Sequence, residues 1–197
     1  LLNSGQRTSM VKNAKADALV HLAWQTSHNK FWSAPDNLDW VYASHDLLRC
    51  FFSSGGKRAV LAGSCAEYEW NTSNEPLTEN ARCHPNTLYG RCKLDLYRRC
   101  EEMINSGASI AWGRLFFLMG PGEHRARFIP YILQSLLKNE AARMSEGTKI
   151  RDFLHVYDAG RAFAALADNQ ISGAVNIASG VGVTLADIAV AAHEKIG

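Results

Sequence analysis

Asp17-Ala18-Leu19-Val20-His21-Leu22-Ala23-Trp24 is an apolar run of strand length with no polar alternation. A strand that reads this way has both faces covered, as strands of parallel sheets do. Three similar runs follow: Arg58-Ala59-Val60-Leu61-Ala62-Gly63-Ser64, residues 109–117 and residues 173–178. Between and around them lie helical patterns over 35–53, 87–106, 127–139, 158–169 and 184–196, and residues 11–16 read as the end of a polar helix. Strand and helix alternate, punctuated by Gly, Pro and Asn, which implies right-handed crossovers and an open α/β layer structure.

Composition narrows the function. The chain has 197 residues, 47% of them apolar, with 21 basic against 19 acidic residues. This supports a sizeable core and argues against disorder. No basic block could neutralise a phosphate backbone, so a nucleic-acid binder is not expected. The longest apolar runs, such as 59–62 and 115–119, are far too short for a bilayer, so no membrane partner is expected either. Five cysteines (50, 65, 83, 92 and 100) cannot all pair, no C-x-x-C occurs, and the seven histidines lack metal-ligand spacing. A reducing, cytoplasmic setting without a metal is the simplest expectation. Asn71-Thr72-Ser73 is formally a glycosylation acceptor, but such triplets arise often by chance.

No glycine-rich turn of the G-x-G-x-x-G type occurs. Gly55-Gly56 precedes a strand, and Gly180-Val181-Gly182 lacks the third glycine. A first strand covered on both faces yet close to Leu1 calls for missing neighbours, since an uncovered apolar edge invites aggregation. The chain is therefore expected to be the C-terminal two-thirds of a larger fold.

Tyr89-Gly90-Arg91-Cys92-Lys93 places a phenol and an ammonium four residues apart, one turn apart on one helix face. A free phenol, with a pKa of about 10, is a poor base at neutral pH. A lysine cation a few Å away is expected to lower that value, which suits the pair to exchanging a proton with a hydroxyl. Ser64 ends a strand-like run 25 residues earlier, at the sheet edge where α/β proteins place their sites. Its hydroxyl could donate to a substrate oxygen near the tyrosine.

With these residues in order, the chain resembles the extended short-chain dehydrogenase/reductase family of nucleotide-sugar epimerases, dehydratases and reductases. His21-Leu22-Ala23 is similar to its H-[LVI]-A element, and Asn37 to the Asn of the following helix. Ser64 with Tyr68 resembles the serine segment, and residues 85–93 the P-x-x-x-Y-x-x-x-K helix. Residues 114–121 resemble R-x-F-N-x-Y-G-P, residues 151–158 R-D-F-x-x-V-x-D, and residues 176–180 the N-I-G-S-G strand end.

The resemblance implies a Rossmann-type doubly wound parallel sheet whose N-terminal strands and glycine-rich turn are missing here. Residues 1–120 would be the C-terminal part of the dinucleotide-binding domain, and residues 121–197 mainly a small substrate-binding lobe. It implies a catalytic triad of Ser64, Tyr89 and Lys93. NAD or NADP would be held by Leu22, Ala23, Trp24, Asn37, Tyr89, Lys93 and Phe116. A nucleotide-diphosphate sugar would contact Ser64, Cys65, Phe117 and Arg151, whose guanidinium fork suits paired phosphate oxygens. A homodimer through the Tyr-Lys helix is also implied, with Leu88, Leu94, Leu96, Tyr97 and Met103 as apolar surface that core packing explains equally well. His155 reads as a packed or capping residue.

Departures refine the reaction. Where family dehydratases carry an Asp-Glu pair after the serine or threonine, this chain has Cys65 and Ala66, which cannot act as carboxyl acid or base. Decarboxylases, which usually keep the Glu, are disfavoured too. A 4-epimerase or 4-keto reductase is the expected activity. Phe117 stands where an Asn commonly touches substrate. The absent glycine turn and Phe117 motivate an alternative, a catalytically impaired relative that binds nucleotide sugars or acts as a scaffold. A reductase of a non-sugar ketone is a third reading, against which Arg151 argues.

Overall fold

A computed structural model describes residues 1–70 and 75–196; the triplet Asn71-Thr72-Ser73 lies outside the described residues. Helix α1 (Ser4–Ala14), capped by the Asn3 side chain accepting from Gln6 N at 3.0 Å, leads to strand β1 (Ala18–His21). Then follow α2 (Asn37–Ser53), β2 (Arg58–Ser64), a 3-10 turn (Cys65–Glu67), α3 (Leu88–Asn105), β3 (Ile110–Leu115) and β4 (Phe117–Met119). The chain continues through α4 (Phe128–Leu137), β5 (Ile150–His155), α5 (Val156–Ala167), β6 (Gly173–Ile177), β7 (Gly182–Thr184) and α6 (Leu185–Ile196).

Four strands form a parallel sheet in the order β1-β2-β3-β6. Its period of two divides the core. Ala59 and Leu61 of β2, with Ile110 and Trp112 of β3, meet Leu47, Leu48 and Phe51 of α2 and Leu96 and Cys100 of α3. Val60 and Ala111 face the other way, onto Phe163 and Leu166 of α5. This double covering is the reason that β2 and β3 read as continuous apolar runs. Leu94 and Leu96 of α3 are buried, and Leu88, Tyr97 and Met103 pack half-buried against the core. At the start of β2, the buried Arg58 donates to the carbonyls of Leu166 (3.1 and 2.7 Å) and Ile171 (2.6 Å), tying the sheet to the end of α5.

The first apolar run is shorter and barer than expected. β1 spans four residues, pairs only with β2, and leaves Val20 44% exposed. Among the described residues it is an edge strand, paired on one side alone. Leu22, Ala23 and Trp24 leave the strand for the loop beyond it.

A second, small sheet has the order β4-β5-β7, parallel between β4 and β5 and antiparallel between β5 and β7. Helix α6 packs on α4 beside it. None of its strands is visible as a long apolar run, because β4 and β7 have three residues each and β5 is at most half-buried. Among the described residues, no helix is long and apolar enough to cross a membrane.

Candidate active site

The tip of β2 is built around a glycine. A β-carbon on Gly63 would stand 2.2 Å from the Trp112 indole nitrogen, so only glycine lets the tryptophan underlie the strand. The next residue, Ser64, caps the 3-10 turn, its Oγ accepting from Ala66 N at 3.2 Å. In return Ser64 N donates to Glu67 Oε1 at 2.7 Å. Glu67 is fully buried, takes the Trp112 Nε1–H at 3.0 Å, and pairs with Arg114 Nε at 2.8 Å. Arg114 Nη1 donates to Tyr68 OH at 3.0 Å, and Tyr68 OH donates to Asn176 Oδ1 at 2.7 Å. Burial works against the Arg114 charge, but Glu67 and Tyr68 outweigh it and push its pKa up. The serine is thus anchored to three strands by groups that satisfy one another.

Helix α3 supplies the partners. Thr87 caps it by accepting from Gly90 N at 3.0 Å, which fixes the first turn under the Ser64 loop. The Tyr89 phenol shares the cleft with Ser64, whose side chain acts to lower the phenol pKa. Around the ring stand the edges or faces of Trp24, Phe31 and Trp32, at 6.4, 4.9 and 5.7 Å between centroids. One turn along, Lys93 is 3% exposed, donates from Nζ to Ala62 O at 2.8 Å, and lies 3.8 Å from the centroid of the Trp24 ring.

Burial pushes the Tyr89 pKa up to about 12, with the Ser64 side chain opposing. The ammonium meets the Ala62 carbonyl and the Trp24 indole, with the Tyr89 ring centroid 5.9 Å from Nζ. Burial also brings the Lys93 pKa down to about 7, with Glu67 opposing.

A cleft of about 490 Å³ opens over these groups. Ser64, Cys65, Tyr89, Lys93, Leu22, Trp24, Phe116, Phe117 and Arg151 all line it. Cys65 is a buried thiol whose pKa burial pushes up to about 12, so it is inert as an acid or base. The Arg151 guanidinium lies over the rings of Trp70 and Phe117, at 4.9 and 5.2 Å.

Two expected cofactor contacts fall elsewhere. Ala23 is exposed and outside the cleft lining. Asn37 is fully buried behind Trp24: its Oδ1 accepts the indole N–H at 2.7 Å, and its Nδ2 donates to Phe31 O and Ala34 O at 2.7 and 2.8 Å. With its amide engaged this way, Asn37 ties the loop of residues 31–34 to Trp24.

Thr26, Phe31, Trp32, Trp70, Asn86 and Arg127 also line the cleft, and none was among the expected site residues. Phe31-Trp32 within a polar loop was the one sequence signal, large aromatics where no periodic element needs them. His155, in turn, caps α5, its Nδ1 accepting from Tyr157 N at 3.3 Å.

Residues 1–178 match the model of the NAD dependent epimerase/dehydratase family. The chain belongs to that family. A curated relative, the dTDP-6-deoxy-L-talose 4-dehydrogenase (NAD(+)) of Aggregatibacter actinomycetemcomitans, is 25% identical over 91% of this chain and 65% of its own length. The chain therefore spans less than two thirds of that relative. Among solved structures, MoeE5 in complex with UDP-glucuronic acid and NAD is 28% identical, with a TM-score of 0.84 over 98% of this chain and 66% of that one. The UDP-glucose 4-epimerase of Thermotoga maritima with UDP-glucose is 20% identical, with a TM-score of 0.88 over 98% of this chain and 65% of that one, a likeness in fold. The four-stranded sheet is thus of the Rossmann type.

Proposed function

We propose that the protein carrying this chain catalyses NAD(P)-dependent oxidoreduction at C4 of a nucleotide-diphosphate sugar, as a 4-epimerase or 4-keto reductase. The observation that carries this reading is the gathering of Ser64, Tyr89, Lys93 and Arg151 around a single cleft. Relatives named for NAD and for nucleotide sugars support it.

The residues present fit the reactive end of a nicotinamide dinucleotide. Leu22, Trp24 and Phe116 give an apolar wall, and Lys93 spends one of its three N–H donors on Ala62, leaving others for a ribose hydroxyl. When bound, the dinucleotide supplies a hydride acceptor and donor. Tyr89 would exchange a proton with the sugar oxygen. Its phenol stays protonated at neutral pH, which suits the acid role directly; the base role requires the charge of a bound cofactor to lower its pKa. Ser64 Oγ would orient that oxygen, and the Arg151 guanidinium would take the diphosphate. Elimination is disfavoured because Cys65 and Ala66 offer no carboxyl group. The small sheet with α4 and α6 would form the substrate lobe, and a homodimer through α3, the Tyr-Lys helix, is part of this reading.

The test is Tyr89→Phe in the protein that carries this chain. kcat should fall by about 10²–10⁴, with nucleotide-sugar affinity kept by calorimetry. Retained turnover refutes the role of the phenol. Binding of nucleotide sugar without any binding of NAD or NADP would favour a non-catalytic sugar-nucleotide binder instead.

A further inference from the structure

We propose that Trp24 is a positioning residue that holds the Lys93 ammonium by its indole face, opposite the Ala62 carbonyl. Lys93 is 3% exposed, and among the described residues its one hydrogen bond to protein is to that carbonyl. A buried ammonium needs more than one acceptor. The indole supplies the second: Nζ lies 3.8 Å from the ring centroid, well inside the range over which an aromatic face attracts a cation.

The ring is aimed before the lysine arrives. Trp24 is 8% exposed, and its Nε1 donates to Asn37, whose amide is in turn fastened to the carbonyls of Phe31 and Ala34. The same indole meets the Tyr89 ring edge-on at 82° and 6.4 Å. One side chain thus sets the positions of both groups that would serve the reaction.

Other charges near the ammonium are few. Glu67, in the turn after β2, favours the cation but is already paired with Arg114. His21 of β1 has its pKa lowered to about 4, first by burial and then by Lys93 itself, so it stays neutral. Tyr89, on the same helix, is held as the phenol. The indole and the Ala62 carbonyl are therefore the groups in contact with the ammonium that offset burial, with Glu67 behind them. Were the ring only an apolar wall, it would desolvate the amine and its removal would have the opposite effect.

That difference in sign is the test. The Lys93 side chain is titrated by NMR of this chain labelled with ¹³C and ¹⁵N, its signal assigned by loss in Lys93→Met. In Trp24→Leu the midpoint should fall by about one pKa unit, roughly tenfold in proton affinity, and in Trp24→Phe by about half as much. An unchanged midpoint overturns the proposal, as does a rise when water replaces the ring. If Trp24→Leu does not fold by its amide spectrum, the sign in Trp24→Phe decides alone. The functional consequence rests on the role proposed for Lys93, but the titration needs no turnover, so either can fail without the other.

Discussion

Gly90 of α3 packs beneath Ala66 of the 3-10 turn so closely that a β-carbon on it would stand 2.4 Å from the Ala66 carbonyl oxygen. That oxygen is backbone and cannot swing aside. The contact lets the turn that begins at Ser64 settle on the turn that bears Tyr89. In an ordinary helix interior Gly→Ala gains up to about 1 kcal/mol. Here Gly90→Ala should instead cost about 1–3 kcal/mol by overpacking, read by urea unfolding, and should lower kcat about 10²-fold by parting the phenol from the serine.

The Glu67–Arg114 pair gives a second prediction. Both side chains are essentially buried, at 0% and 2% exposure. Removing one leaves the other charge unpaired in the core, so Glu67→Leu should cost about 3–5 kcal/mol. The double variant Glu67→Leu/Arg114→Met should be more stable than Glu67→Leu alone. Equal stability of the two would show that the pair is not coupled.

His21 predicts an acid limb. Its ring donates to or accepts from Ser44 Oγ at 2.8 Å, and burial, with Lys93 behind it, brings its pKa from 6.5 down to about 4. The unfolded chain therefore binds a proton more readily than the folded one between those values. The stability due to neutral His21 is complete above about pH 6.5 and is lost as pH falls toward 4, by an amount of order 3 kcal/mol. Urea unfolding at pH 7 and pH 4.5 should show a smaller difference in His21→Gln than in the unaltered chain.

Arg151 tests the proposed diphosphate site. Its planar guanidinium lies over Trp70 and Phe117, an arrangement that a lysine cannot reproduce. In the protein carrying this chain, Arg151→Lys should weaken UDP binding about tenfold by calorimetry, with the thermal midpoint unchanged. Equal UDP affinity would remove Arg151 from the diphosphate site.

What could be read from the sequence follows physical rules. β2 and β3 were legible because cover on both faces makes a strand continuously apolar, and the Tyr89–Lys93 pair because helical spacing puts both on one side. Spacing gives a face and not a partner, so it could not show that Lys93 turns to Ala62 and Trp24. Asn37 and Trp24 are 13 residues apart and Glu67 and Arg114 are 47 apart; only the fold brings them together. β4, β5 and β7 escaped notice because they are short and at most half-buried, without a pattern that burial would impose. β1 reads as apolar although, among the described residues, it is paired on one side alone and partly exposed.

Strand β2 presents the Ala62 carbonyl to Lys93 and, two residues later, the Ser64 hydroxyl to Tyr89. Because side chains alternate along a strand, a shift of one residue would deliver neither group. β2 is hydrogen-bonded on both sides, to β1 over four residues and to β3 over six. The sheet thus works as a vernier, with the spacing of cation and hydroxyl graduated on a single strand that its two neighbours keep from sliding.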